Sequence, residues 1–125
     1  MTSLLILSGV VGVMLFFSVA VAPTIFKVLP QEWASAYVRQ FFPKYYAVLG
    51  AATLLAAGLT ADATTRLVAG VCAALFAVSL LVLTPAVNRA TDQGKKRLFG
   101  WLHGLSILVN MGQLVALLWV LWRAA

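Results

Sequence analysis

Acidic side chains are nearly missing from this chain: Glu32, Asp62 and Asp92 are the only three, and all lie between its apolar runs. A carboxylate relay for protons or cations needs an Asp or Glu inside a membrane span, so charge-coupled transport is disfavoured. Cysteine is limited to Cys72, which excludes an intrachain disulfide and leaves the redox compartment unread. Histidine is limited to His103. One copy therefore cannot build a bis-histidine haem site, although two copies could each donate His103. The three or four clustered Cys, His or carboxylate ligands of a zinc site are also absent, so His103 is the one weak metal candidate and no cofactor is expected. Ser106 follows His103 by one helical turn, but no third orienting group or oxyanion site accompanies the pair, and the chain reads as non-enzymatic.

Apolar residues are what the chain has in plenty. They make up 63% of 125 residues, and the mean hydropathy of +1.02 lies far outside the soluble range. The charges leave four free stretches, Met1–Phe26, Tyr45–Ala61, Leu67–Asn88 and Leu98–Trp122. A crossing takes about 20 mostly apolar residues, so three of these qualify directly. The second is extended by Tyr45 and Tyr46, which suit the headgroup region. The expected fold is all-α: one integral membrane domain over residues 1–125, a four-helix transmembrane bundle with spans at about 3–26, 44–61, 66–87 and 98–122. Ala20-Val21-Ala22 has the small-x-small form of a signal cleavage site. No Lys or Arg precedes it and the apolar run is long, so a retained helix is expected.

Lysine and arginine are distributed unevenly. Lys27, Arg39 and Lys44 follow the first span, and Arg89, Lys95, Lys96 and Arg97 follow the third, against only Arg66 and Arg123 on the other side. That asymmetry places both odd-numbered loops in the cytoplasm and both termini outside, as for a bacterial inner-membrane protein. The formal charge of +6 then reads as a topology signal and an attraction to anionic lipid headgroups. The charges flank helices and form no groove, so nucleic acid is not an expected partner.

Between the first two spans, Trp33, Tyr37 and Phe41 recur every four residues. This predicts a short amphipathic helix lying at the interface, with Pro43 in the first turn of the second span. Pro23 is expected to kink or end the first helix, and Pro85 and Asn88 to mark the exit of the third. The two halves of the chain share no matching sequence motif, so no internal repeat is expected. Small residues at Gly9 and Gly12, and at Gly100 and Gly104, are candidate helix-packing faces.

The last span holds the residues closest to a functional site. His103, Ser106, Asn110 and Gln113 follow at offsets of 3, 4 and 3, which confines them to an arc of roughly 80°. Polar groups on one face of a lipid-length helix need partners. With Gly100 and Gly104 beside them, they read first as a packed polar seam on a central helix, its polar face turned inward. A small-solute or metal-ion path along the same face, with Asn88 contributing, is the second reading. Haem or metal binding by an oligomer is the third. The first implies a scaffold or accessory protein with a homo-oligomeric or other membrane-protein partner.

Phe41-Phe42-Pro43-Lys44-Tyr45-Tyr46, the Pro85-x-x-Asn88 exit and Leu102-His103-Gly104-Leu105-Ser106-x-x-x-Asn110 resemble a bacterial membrane family known only as a domain of unknown function. Its eukaryotic relative is transmembrane protein 205. The resemblance covers nearly the whole chain and implies four spans without an assigned biochemical activity. It also implies a link, in animals, to handling of platinum drugs or metals, and a distant kinship with small helical families of copper uptake or haem synthesis. Eukaryotic members carry a longer loop before the last helix; here it is only Arg89–Arg97, so nothing of that insertion carries over.

Overall fold

In lipid every backbone N–H and C=O must find a partner within its own segment, and an apolar stretch meets that demand by becoming a helix. The computed structural model describes all of Met1–Ala125 and contains four such helices and no strand. They are α1 (Thr2–Val28), α2 (Gln31–Leu59), α3 (Ala63–Asp92) and α4 (Lys96–Ala124), each long and apolar enough to cross a membrane. Short links make successive helices antiparallel neighbours, and α4 returns to α1 along Thr2–Phe16. The result is a four-cornered bundle with α1 and α3 on one diagonal, α2 and α4 on the other.

The core is filled by Leu7, Met14, Leu49, Phe76, Leu117 and Val120, all essentially inaccessible. One glycine is held against another helix, between α2 and α3. A Cβ added to Gly50 would lie 3.2 Å from Phe76 Cβ, and no other glycine would meet anything within 4 Å. Helix α4 is the least buried of the four rather than the central one, because α2 and α3 share the most extensive contact.

The expected interfacial helix is not a separate element. Residues 31–42 are the opening turns of α2, which runs unbroken through Pro43. Proline removes one backbone donor there, but tertiary contacts hold the extension upright. Phe41 stacks on Phe17 of α1 at 4.9 Å between ring centroids, and Phe42 meets the same ring edge-on at 5.5 Å. On the other flank Arg39 donates to Asp92 at 2.7 Å and to the Asn88 carbonyl at 3.4 Å, both on α3. Tyr45 and Tyr46 consequently sit in the buried core of the bundle.

Helices α1 and α3 continue through their prolines by the same device. A π turn, Phe17–Val21 in α1 and Ser79–Leu83 in α3, lies just ahead of Pro23 and Pro85. The Ala22 N–H bonds to the Phe17 carbonyl and the Thr84 N–H to the Ser79 carbonyl, each five residues back. The widened turn gives room to a pyrrolidine ring that would otherwise press on the preceding carbonyls. In α1 the Thr24 hydroxyl donates to the Ala20 carbonyl at 2.6 Å. A cation follows each proline by four residues, Lys27 and Arg89. The two odd-numbered helices thus share a π turn ahead of a proline, and nothing comparable links α2 with α4. Helix α3 then runs past Pro85 and Asn88 to Asp92. It ends in a Schellman turn, with the Lys95 N–H on the Ala90 carbonyl and the Gly94 N–H on that of Thr91. Gly94 takes the left-handed conformation this requires, at φ 67°.

At the opposite end Asp62 caps α3 and holds the end of α4. Its carboxylate accepts from the Thr65 N–H and hydroxyl at 3.0 and 2.7 Å, and from Arg123 at 2.7 Å. The Thr65 hydroxyl first, then Arg123, hold the acid below its ordinary value of 3.8, to about 2. A depressed carboxyl stabilises the fold above its ordinary value, and that contribution is lost as pH falls through the folded one. Acidification from about pH 4 to pH 2 should therefore loosen the end of α4. Trp119, which lies under the Arg123 guanidinium at 5.6 Å, reports this by fluorescence. The transition should be absent in Asp62→Asn; its persistence there would assign it to another group.

Candidate functional site

The four polar residues of α4 share one arc but not one environment. Along Gln113, Leu114, Leu117 and Val120 the helix is buried, with α1 and α3 on either side. Toward the end that carries Lys96, α4 keeps its contact with α3 but loses α1, which touches it only before the π turn. The arc thus begins in the core and finishes in the open.

Gln113 is 1% exposed and its Nε2 donates to the Cys72 carbonyl on α3 at 2.9 Å. Its Oε1 is buried without a partner, the one such side-chain atom in the chain. Asn110, half-buried, accepts from the Tyr45 hydroxyl at 3.2 Å across the α2–α4 diagonal. The Ser106 hydroxyl turns back on its own helix and donates to the Leu102 carbonyl at 3.0 Å. His103 is exposed and lies flat against Phe99, centroids 5.4 Å apart and planes within 6°. Asn88 is engaged through its backbone carbonyl, with no side-chain bond to the four. The seam is therefore two separate interhelical ties, Gln113 to α3 and Asn110 to α2, with Ser106 and His103 outside them.

Gly9, Gly12, Gly100 and Gly104 have nothing within 4 Å of an added Cβ. None of the four packs against another helix of the same chain. Each pair instead floors an open groove. One, of about 500 Å³, lies between α1 and the start of α2, with Phe16, Phe17, Tyr37 and Phe41 along it. The other, of about 480 Å³, runs along α4 beneath Lys96, Arg97 and Trp101. No three His, Cys, Asp or Glu side chains come together as a metal cluster.

Sequence reasoning missed the partners rather than the polar residues. Nothing along the chain pairs Asn110 with Tyr45, and the Gln113 acceptor is a backbone carbonyl that carries no residue signature. The cap was within reach, since Asp62-x-x-Thr65 ahead of an apolar run has the spacing of an N-cap acid and its acceptor-seeking turn.

This arrangement defines a small integral membrane protein, a four-helix bundle whose interior polar side chains are few and bond mostly to backbone carbonyls. Over residues 5–96 the chain matches a family described as a domain of unknown function (DUF4149), and it belongs to that family. The match closes where α4 opens, so the Leu102–Asn110 motif lies beyond it. Among curated proteins and among solved structures, none matches the chain.

Proposed function

We propose that the protein is a non-enzymatic membrane scaffold or accessory component that self-associates through the groove of α1. The observation carrying this reading is that the glycine pair Gly9 and Gly12 faces outward, uncovered, in an uncharged groove flanked by aromatic rings. Small residues let a second helix approach closely, and van der Waals packing then drives association in lipid. The interior supports the same reading: Asn110 and Gln113 tie helices together, and such bonds average only about 0.6 kcal/mol in membranes, enough to set register. The Lys and Arg excess at the end bearing the α1–α2 and α3–α4 links supports a bacterial inner-membrane orientation with that end cytoplasmic.

A carrier of small solutes or metal ions along the α4 face is the second reading. What favours it is the orphaned Gln113 Oε1, since a buried acceptor without a partner calls for a water or a solute. Proteoliposomes and crosslinking separate the two. Gly9→Leu should abolish crosslinked dimers while leaving the melting curve unchanged, because the added side chain meets only open space. His103→Ala and Asn110→Ala should leave solute permeability at the level of protein-free liposomes. Wild-type flux that falls in those two variants, with dimers intact in Gly9→Leu, would replace the scaffold by the carrier.

A further inference from the structure

The second groove, unlike the first, is charged. Lys96 and Arg97 stand at its mouth, both exposed and neither paired with a carboxylate. At that end of the bundle the cations Lys27, Arg39, Lys44, Arg89, Lys95, Lys96 and Arg97 face only Glu32 and Asp92. Arg39 already occupies Asp92. Trp101 lies one turn below the charged pair, 77% exposed, with an amphipathic ring of the kind that settles at headgroup depth. Below it the absent side chains of Gly100 and Gly104 leave a furrow that continues to the exposed Leu108. Cationic mouth, interfacial ring and apolar furrow follow one another down a single helix face in the order of headgroup, boundary and acyl chain.

We propose that this groove is a binding site for one anionic phospholipid, its phosphate held by Lys96 and Arg97 and an acyl chain lying over Gly100 and Gly104. Arginine offers a fork of donors to phosphate oxygens and lysine a point charge, so together they prefer an anionic headgroup to a zwitterionic one. A second copy is the competing occupant, and charge argues against it. Two chains in the same membrane orientation that met over Gly104 would set Lys96 and Arg97 of one beside the same pair of the other. Like charges so placed oppose that dimer. The uncharged α1 groove carries no such penalty.

The test is native mass spectrometry of the full chain in mild detergent, with dioleoylphosphatidylglycerol or dioleoylphosphatidylcholine added at equal concentration. One phosphatidylglycerol should remain bound at least about tenfold better than phosphatidylcholine, in keeping with the pull of two basic residues on an anionic headgroup. The double substitution Lys96→Gln and Arg97→Gln should remove that preference. Gly104→Leu, or Gly100→Leu, should also lose the adduct with charge unchanged and the melting curve intact. Lys27→Gln, at the same end on another helix, should retain it. Equal binding of the two lipids would overturn the site. So would a loss in Lys27→Gln as large as in the double variant, or an adduct that survives leucine at both glycines.

Discussion

Gly50→Leu should destabilise the bundle by about 3 kcal/mol, the upper part of the range for forcing extra atoms into a packed contact. The first added atom already falls 3.2 Å from Phe76 Cβ, and that neighbour cannot yield, because a Cβ is fixed to its backbone. Helices α2 and α3 must move apart along the most extensive interface in the protein. Phe76→Ala alone should cost about 3–5 kcal/mol, since a fully buried ring leaves a cavity where helices α2 and α3 meet. The informative variant is the double one. Alanine at 76 keeps the Cβ that the first added atom meets, but the vacated ring space can take the rest of the leucine, so the double cost should fall short of the sum by about 1 kcal/mol. Stability by SDS titration of the detergent-solubilised chain, followed by far-UV circular dichroism, gives all three values. Gly12→Leu is the reference and should sit within about 0.5 kcal/mol of wild type, as expected where a side chain enters open space. Strict additivity of the two α2–α3 substitutions would mean that the leucine does not enter the space the Phe76 ring leaves.

That contrast marks where the sequence could be read and where it could not. The number of helices, their extent and their antiparallel order follow from charge-free runs and short links, because an apolar run of about 20 residues satisfies its own backbone in lipid as a helix. Which glycine is a contact and which is a groove does not follow. Gly100 and Gly104 have the spacing of a helix-packing motif and pack on nothing within the chain, whereas Gly50 has no such spacing and lies against Phe76. Spacing describes one helix, and a contact depends on the rotation of two. The polar arc of α4 failed in the same way. Its angular register was legible, but the departure of α1 beyond the π turn at Phe17–Val21 is a tertiary event, and it leaves His103 exposed while Gln113 is buried. Pro43 shows the converse, a local helix-breaking signal overridden by the rings of Phe41 and Phe42 on Phe17 and by Arg39 on Asp92.

Phe17→Ala should be the most damaging single change at that junction, costing about 3–5 kcal/mol. The ring is the hub at which α1 receives the opening turns of α2: it stacks on Phe41 at 4.9 Å, meets Phe42 edge-on at 5.5 Å and contacts Tyr45 at 5.0 Å. Aromatic pairs of this geometry contribute about 0.5–1.5 kcal/mol each beyond the area they bury. Without the hub, residues 31–42 lose their ring contacts with α1 and keep the small buried Ala34 and the exposed Arg39–Asp92 pair, and exposed ion pairs supply about 0–1 kcal/mol. Amide hydrogen exchange over residues 31–42 should accelerate in Phe17→Ala by more than tenfold, while the α3–α4 hairpin stays protected. Trp33→Ala, at a side chain 62% exposed, should change neither exchange nor stability. The same ring forms part of the α1 groove, so dimers should weaken with Phe17→Ala as well. Gly9→Leu separates the two effects, because it fills the groove without touching the hub. If Phe17→Ala accelerates exchange yet leaves dimers at wild-type yield, the association surface lies elsewhere than the face of α1 that bears Gly9 and Gly12.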